Sequence, residues 1–207
     1  LSGESVSTMS DSTFRRTVPE ARDSYGVFSP ENCKIVERIE WNSDRHQQLL
    51  DYDRRCNLEL TERNGLFPLP ITADAIQRAK DFCLKQWKAR WHERHPKGPT
   101  WTAACGWDYE PDDLSSSCKF TSLFAREVFG GEVVGNYDHQ FLRLHNGAIL
   151  DLNDGAKDVL AMDAPYEIDR EFFGSPDHAA SMESCIPRVQ DWLAAFSRGE
   201  RSLRWPL

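Results

Sequence analysis

Residues 117–152 read SCKFTSLFAREVFGGEVVGNYDHQFLRLHNGAILDL, and this stretch decides the fold class of the 207-residue chain. Its first third predicts a helix over residues 119–129, ended by Gly130-Gly131, because apolar side chains recur there at helical spacing. The remainder predicts a strand at 132–135 and a hairpin of two strands, 140–144 and 148–152, around Asn146-Gly147. A helix followed by a small antiparallel sheet predicts the α+β class.

Cys118 stands where this helix begins, which is a favourable place for a nucleophile. A cysteine reacts as its thiolate, and the unpaired N–H groups of a helix N-terminus stabilise that anion. The backbone N–H of Cys118 also lies where an oxyanion could be bound. His139 opens a following strand and is the candidate base, and Asp151 on the partner strand is the candidate group that orients the imidazole. We therefore predict a Cys118–His139–Asp151 triad.

The hairpin register tests this triad. A two-residue turn at Asn146-Gly147 places residue 142 opposite Asp151, which puts His139 and Asp151 on opposite faces of the sheet. A three-residue loop over 145–147 places residue 141 opposite Asp151, so that the two side chains share a face. Three-residue loops commonly end in a glycine in the left-handed region, as Gly147 allows. The triad therefore predicts the three-residue loop.

The same residues resemble a known family. In order, they are similar to motifs of the short bacterial YunG-like proteins, which belong to the papain-like cysteine peptidase superfamily near the NlpC/P60 group. The matching runs are Ser117-Cys118-Lys119-Phe120-Thr121-Ser122-Leu123, Phe129-Gly130-Gly131-Glu132, Asp138-His139-Gln140-Phe141 and Asn146-Gly147-Ala148-Ile149-Leu150-Asp151-Leu152. The resemblance covers about residues 101–160 and implies a papain-like core with Cys118 as nucleophile, His139 as base and Asp151 as orienting acid.

The resemblance also suggests residues of the cleft. Trp107 resembles an aromatic residue that precedes the nucleophile in the family, and we count Trp107, Ser117 and Gln140 as candidate oxyanion or substrate-cleft residues. Two positions depart from the family pattern. Ser117 stands where the family usually has Gln, and Asn153 stands where it tends to have Thr after Asp-Leu.

These residues imply a cysteine-dependent hydrolase or acyltransferase acting on an amide bond of a protein or peptide, of protease, isopeptidase or glutamine deamidase type. Such chemistry needs no metal or cofactor. Two alternatives stay open. One is a catalytically silent papain-like fold used as a binding module, and the other is a secreted effector or toxin that uses the same triad.

Several other residues compete for a role. Cys105, in a predicted loop, is the rival nucleophile, and Asp154 is the nearest substitute for Asp151. His92 and His95 have the spacing of a metal-binding pair, but no third ligand follows, so favourable charge at a helix C-terminus is the better interpretation. An acidic loop before Cys118 is interpreted as solvated, although it could attract a basic substrate. Its acids are Asp108, Glu110, Asp112 and Asp113.

The rest of the chain predicts three parts. Residues 1–30 are polar and predict a flexible arm, within which Met9 is a candidate natural start. Residues 31–100 predict a helical extension packed on the core, with helices at about 43–62 and from Thr72 to just before Pro96. Residues 101–207 predict the papain-like catalytic domain. Beyond a predicted loop at 96–111, its later signals are a turn at 174–176 and a helix at 186–196 with Pro187 in its first turn.

Composition limits the partners. A formal net charge of −8 argues against nucleic acid and anionic membranes, which need a basic surface. No stretch approaches the roughly 20 apolar residues that span a membrane. The six cysteines have no regular spacing and no C-x-x-C pair, which favours free thiols in the reducing cytoplasm, with delivery by a secretion system as an alternative. The oligomeric state is not indicated.

Overall fold

The computed structural model describes residues 37–38, 66–102 and 106–204. They form helices and small antiparallel sheets, which confirms the predicted α+β class. The elements are β1 (Glu37–Arg38), α1 (Ala73–Arg94), β2 (Thr100–Thr102), β3 (Gly106–Asp108), α2 (Cys118–Phe129), β4 (Glu132–Gly135), β5 (Gln140–Arg143), β6 (Ile149–Leu150), α3 (Lys157–Leu160), β7 (Glu167–Ile168), α4 (Arg170–Phe173) and α5 (Pro176–Arg204). The arm predicted at 1–30 and the helix predicted at 43–62 lie outside the described residues.

The helix α2 lies at the centre of the molecule. It packs against α5 on one side and against the three-stranded sheet β4–β5–β6 on the other. The ring of Phe124 is fully buried and lies 5.5 Å from that of Phe82 in α1 and 5.2 Å from that of Phe196 in α5, measured between ring centroids. Because residues of α1, α2, the sheet and α5 share one apolar core, the start of α2 is held firmly.

The helix α1 agrees with its sequence signals. Thr72 caps it by accepting a hydrogen bond from the Ala75 backbone N–H at 3.1 Å, and His95 follows its last residue. Its predicted apolar side chains face the core, with Ala79 and Cys83 fully buried. No helix within the described residues is long and apolar enough to cross a membrane.

Two regions differ from the sequence expectation. Residues 96–111, predicted as a loop, contain the β2–β3 hairpin, in which Trp101 pairs with Trp107. The strands have only three residues each, too few to show a periodicity. The last helix was predicted at 186–196 but spans Pro176–Arg204, with Pro187 in its interior. Proline breaks one hydrogen bond of the helix, yet Cys185 and Val189 on either side of it are buried in the core, and this packing holds the helix through it.

Candidate active site

The hairpin has the register that the triad requires. Leu142 pairs with Leu150, and the Leu144 N–H donates to the Ala148 carbonyl at 2.8 Å. The loop therefore has three residues and closes on Gly147, whose φ of +84° lies in the left-handed region. By this register residue 141 lies opposite Asp151, so the predicted three-residue loop is confirmed.

His139 and Asp151 meet on one face of this sheet. The Nε2 atom of His139 lies 2.9 Å from the Oδ2 atom of Asp151, and the two side chains are only 1% and 3% exposed. An ionised carboxylate can only accept hydrogen bonds, so Nε2 carries the proton and Nδ1 is left for another partner. The Asn153 N–H donates to Asp151 Oδ1 at 2.8 Å, and the Tyr166 hydroxyl donates weakly to Oδ2 at 3.4 Å. The acid is thus held from three sides.

Asp151 and Cys118 both act on the His139 imidazole. Burial alone lowers the pKa of His139, but hydrogen bonds to Asp151 and to Cys118, together with their charges, outweigh it and raise that pKa to about 9. A histidine with this pKa is protonated at neutral pH. An imidazolium next to a sulfur stabilises the thiolate, which is the nucleophilic form of cysteine.

Gln140 also contacts the sulfur. The Cys118 thiol, half-buried at the first position of α2, donates to Gln140 Oε1 at 2.9 Å. The Gln140 amide nitrogen donates to the Asn136 carbonyl at 2.9 Å, and this acceptor fixes which end of the amide faces the sulfur. Gln140 therefore contacts the candidate nucleophile, but it presents an acceptor to the sulfur and not the oxyanion donor considered for it.

Ser117 does not face the cleft. Its side chain is fully buried, and its hydroxyl donates to the Leu114 carbonyl at 2.6 Å. Asn153 Nδ2 donates to the same carbonyl at 2.7 Å and to Ser117 Oγ at 3.1 Å. The assignment of Ser117 to the oxyanion or substrate cleft therefore needs correction, because its hydroxyl is used inside the protein. The two positions that depart from the family pattern, 117 and 153, are hydrogen-bonded to each other.

Asn153 joins the two halves of the site. Besides its contacts to Leu114 and Ser117, its Oδ1 accepts a hydrogen bond from Thr121 in the first turn of α2. Its own backbone N–H holds Asp151. One buried side chain thus links the helix that carries the nucleophile to the strand end that carries the acid.

Asn136 and Gly135 place the backbone of His139. The side-chain oxygen of Asn136 accepts from the His139 N–H at 3.0 Å, as asparagine does in turns. A Cβ on Gly135 would lie 2.1 Å from the His139 carbonyl oxygen, so only glycine fits there. Sequence reasoning missed both residues and also Tyr166, although Gly135-Asn136 is a recognisable turn signal.

Of the remaining candidates, the two histidines have structural partners. Trp107 lies in β3, and Cys105 is outside the described residues. His92 lies 3.2 Å from Glu110, whereas His95 lies 2.9 Å from Asp108, so the two histidines have different partners. Among the described residues no group of three potential metal ligands occurs.

The acidic loop is also engaged within the protein. Asp108 accepts from the Trp91 indole at 3.0 Å, and Asp112 pairs with Lys157 at 2.6 Å. Asp113 accepts from the backbone N–H groups of Ser115 and Lys157. These acids therefore have partners within the protein, which the interpretation of the loop as solvated did not include.

Comparison with known proteins identifies no relative. No protein-family model matches the chain, and no curated protein or solved structure matches it significantly. The functional argument therefore rests on the geometry of the site.

Proposed function

We propose that this chain is a cysteine-dependent amide hydrolase or acyltransferase with a papain-like catalytic core. The observation that carries the proposal is the position of one buried imidazole. His139 contacts the Asp151 carboxylate at 2.9 Å through Nε2, and Cys118 is among the groups that raise the pKa of the same imidazole. A nucleophile, a base and an orienting acid in this order are the parts that acyl transfer needs.

The residues would act in two steps. The reactive form is the pair in which His139 carries the proton and Cys118 is a thiolate, and this sulfur bonds to the amide carbonyl carbon while the oxyanion lies at the start of α2. When the C–N bond breaks, His139 gives its proton to the leaving amine and the acyl group stays on Cys118. Water or an amine then attacks the thioester, His139 accepts its proton, and the C–S bond breaks to release the thiolate. Asp151 keeps the imidazole oriented throughout.

The reactivity of Cys118 tests the proposal without a known substrate. We expect iodoacetamide to alkylate Cys118 at pH 7 faster than it alkylates a free cysteine. We also expect p-nitrophenyl acetate to release one burst of nitrophenolate and leave an acetyl group on the Cys118 peptide. Replacing the base, His139→Gln, should slow acylation by roughly a hundredfold or more, whereas His145→Gln in the exposed hairpin loop should not. A Cys118 that reacts no faster than a free thiol, with or without His139, would refute the enzyme.

One observation favours a second candidate, the catalytically silent binding module. Gln140 Oε1 accepts a hydrogen bond from the sulfur, and this contact is possible only while the thiol keeps its proton. The same labelling experiment separates the two candidates, because a silent module predicts slow alkylation that His139→Gln leaves unchanged.

A further inference from the structure

A cavity of about 520 Å³ lies at the end of α1. It is formed by the last turn of this helix, the loop that follows it and the segment after β3, and no residue of the proposed triad lines it. Its volume is within the range that ligand pockets in proteins have. Four side chains with aromatic or imidazole rings and two prolines line it, and these are Trp91, His92, His95, Tyr109, Pro96 and Pro99.

Two of these rings are fixed by contacts within the protein. The Trp91 indole N–H donates to Asp108 Oδ1 at 3.0 Å. The His95 ring stacks on that of Trp91, with 4.6 Å between centroids. Its Nδ1 lies 2.9 Å from the Trp91 carbonyl oxygen, and its Nε2 lies 2.9 Å from Asp108 Oδ2. Since the polar atoms of both side chains are engaged, a ligand in the cavity would meet only their ring carbons.

Glu110 and Tyr109 are the lining residues most available to a ligand. Glu110 Oε2 lies 3.2 Å from His92 Nε2, and these two side chains are 43% and 59% exposed. An ion pair as exposed as this one contributes little stability, so a cation with better geometry can replace His92. Tyr109 is 66% exposed and lies next to Glu110 in the chain. A Cβ on Gly98 would meet no atom within 4 Å, so the cavity has room at its loop side.

We propose that this cavity binds the guanidinium group of an arginine side chain from a peptide or protein partner. A guanidinium stacks on aromatic rings through its flat face and bonds a carboxylate through its edge, so Tyr109 and Glu110 suit its two surfaces. Pro96 and Pro99 offer apolar surface to the stem of the arginine. The excess of acidic side chains, 33 against 25 basic ones, attracts such a cation over longer distances. The inference does not depend on the reaction proposed at Cys118.

Two small probes that differ by one charge test the proposal. N-acetylarginine amide and N-acetylcitrulline amide have nearly the same shape, but citrulline carries an uncharged urea group in place of the guanidinium. We expect the arginine probe to shift the NMR signals of the Trp91 indole N–H and the Gly98 amide until the site is saturated. Its Kd at constant ionic strength should be lower than that of the citrulline probe by roughly threefold or more, as expected for a partly exposed ion pair. Glu110→Gln should remove this preference, and Tyr109→Ala should weaken the binding of both probes.

The controls separate this site from general attraction by an acidic protein. Glu183→Gln removes an exposed carboxylate from α5 that does not line the cavity, so both Kd values should stay unchanged. Cys118→Ala should also bind both probes like the wild type, which keeps the test independent of the proposed function. The proposal would be overturned if neither the Trp91 nor the Gly98 signal shifted, or if the citrulline probe bound as tightly as the arginine probe. A preference for arginine that persists in Glu110→Gln would overturn it as well.

Discussion

At the scale of single residues, the sulfur of Cys118 has two neighbours with opposite effects. His139, whose pKa rises to about 9, carries positive charge near neutral pH, whereas Gln140 Oε1 accepts a hydrogen bond from the thiol. The orientation of Gln140 follows from the Asn136 carbonyl, which needs the amide nitrogen. Gln140 thus acts as a restraint on the resting nucleophile.

Substitutions of Gln140 should change the reactivity of Cys118 in both directions. Gln140→Met removes the hydrogen-bond acceptor but keeps a side chain of similar length. It should speed the alkylation of Cys118 by iodoacetamide at pH 7 severalfold. Gln140→Glu puts a negative charge beside the sulfur and should slow it, because a nearby anion disfavours the thiolate. Rates are compared for the Cys118 peptide, with unfolding curves showing that both variants fold. If Cys118 were alkylated more slowly in Gln140→Met and faster in Gln140→Glu, Gln140 would not restrain the thiol.

At the scale of elements, the site depends on how α2 meets the loop after β6. Local periodicity was enough to predict α2 and the hairpin, whereas the three-residue loop was predicted because the triad requires it; Asn146-Gly147 also fits a two-residue turn. The contact between the two elements was not predictable, because the hydrogen bonds of Asn153 to Leu114, Ser117 and Thr121 join residues more than thirty positions apart. Asn153 was noticed only as a departure from a family pattern.

Asn153→Ala should loosen this junction. It removes the side-chain hydrogen bonds of Asn153 to Leu114, Ser117 and Thr121, which keep only their other bonds, so we expect a loss of roughly 1–3 kcal/mol in the free energy of unfolding. Alkylation of Cys118 should also become less dependent on His139, since the helix start is no longer tied to the acid. Ser122→Ala is a matched control, because this buried hydroxyl bonds only to Lys119 within α2. Equal effects of the two substitutions on urea unfolding and on alkylation would argue against a positioning role.

At the scale of the whole molecule, two buried histidines respond to pH in opposite ways. Burial, reinforced by the charge of Lys119, lowers the pKa of His178 to about 4. Its ring packs against those of Phe172 and Phe173, at 4.5 and 4.3 Å between centroids, and neither ring nitrogen has a hydrogen-bond partner within the described residues. His139, in contrast, is held in its protonated form.

Stability should therefore fall toward both acid and alkali. His178 contributes stability above pH 6.5 that is lost as pH falls toward 4, because the unfolded chain binds the proton first. His139 contributes stability below pH 6.5 that is lost as pH rises through about 9. His178→Leu should raise the free energy of unfolding by about 1 kcal/mol near neutral pH. It should also reduce the loss of stability as the pH falls. His139→Gln should reduce the loss of stability as the pH rises.

Urea unfolding between pH 4.5 and 9 measures both effects, with His145→Leu in the exposed hairpin loop as control. A His178→Leu variant that is less stable than wild type at neutral pH would show that the imidazole has a partner and would overturn the first expectation. An alkaline loss that His139→Gln does not change would overturn the second.

The sequence by itself determined the α2 helix, the β5–β6 hairpin and the shared face of His139 and Asp151, because helical period, glycine position and strand alternation act over a few neighbouring residues. It did not determine the β2–β3 hairpin, the full length of α5 or the surroundings of Cys118. Those features depend on burial and on hydrogen bonds between distant segments. The helix α5, for example, continues past Pro187 because the residues around it pack in the core. Tertiary structure therefore decided that Gln140 faces the sulfur and that Ser117 turns inward to Asn153.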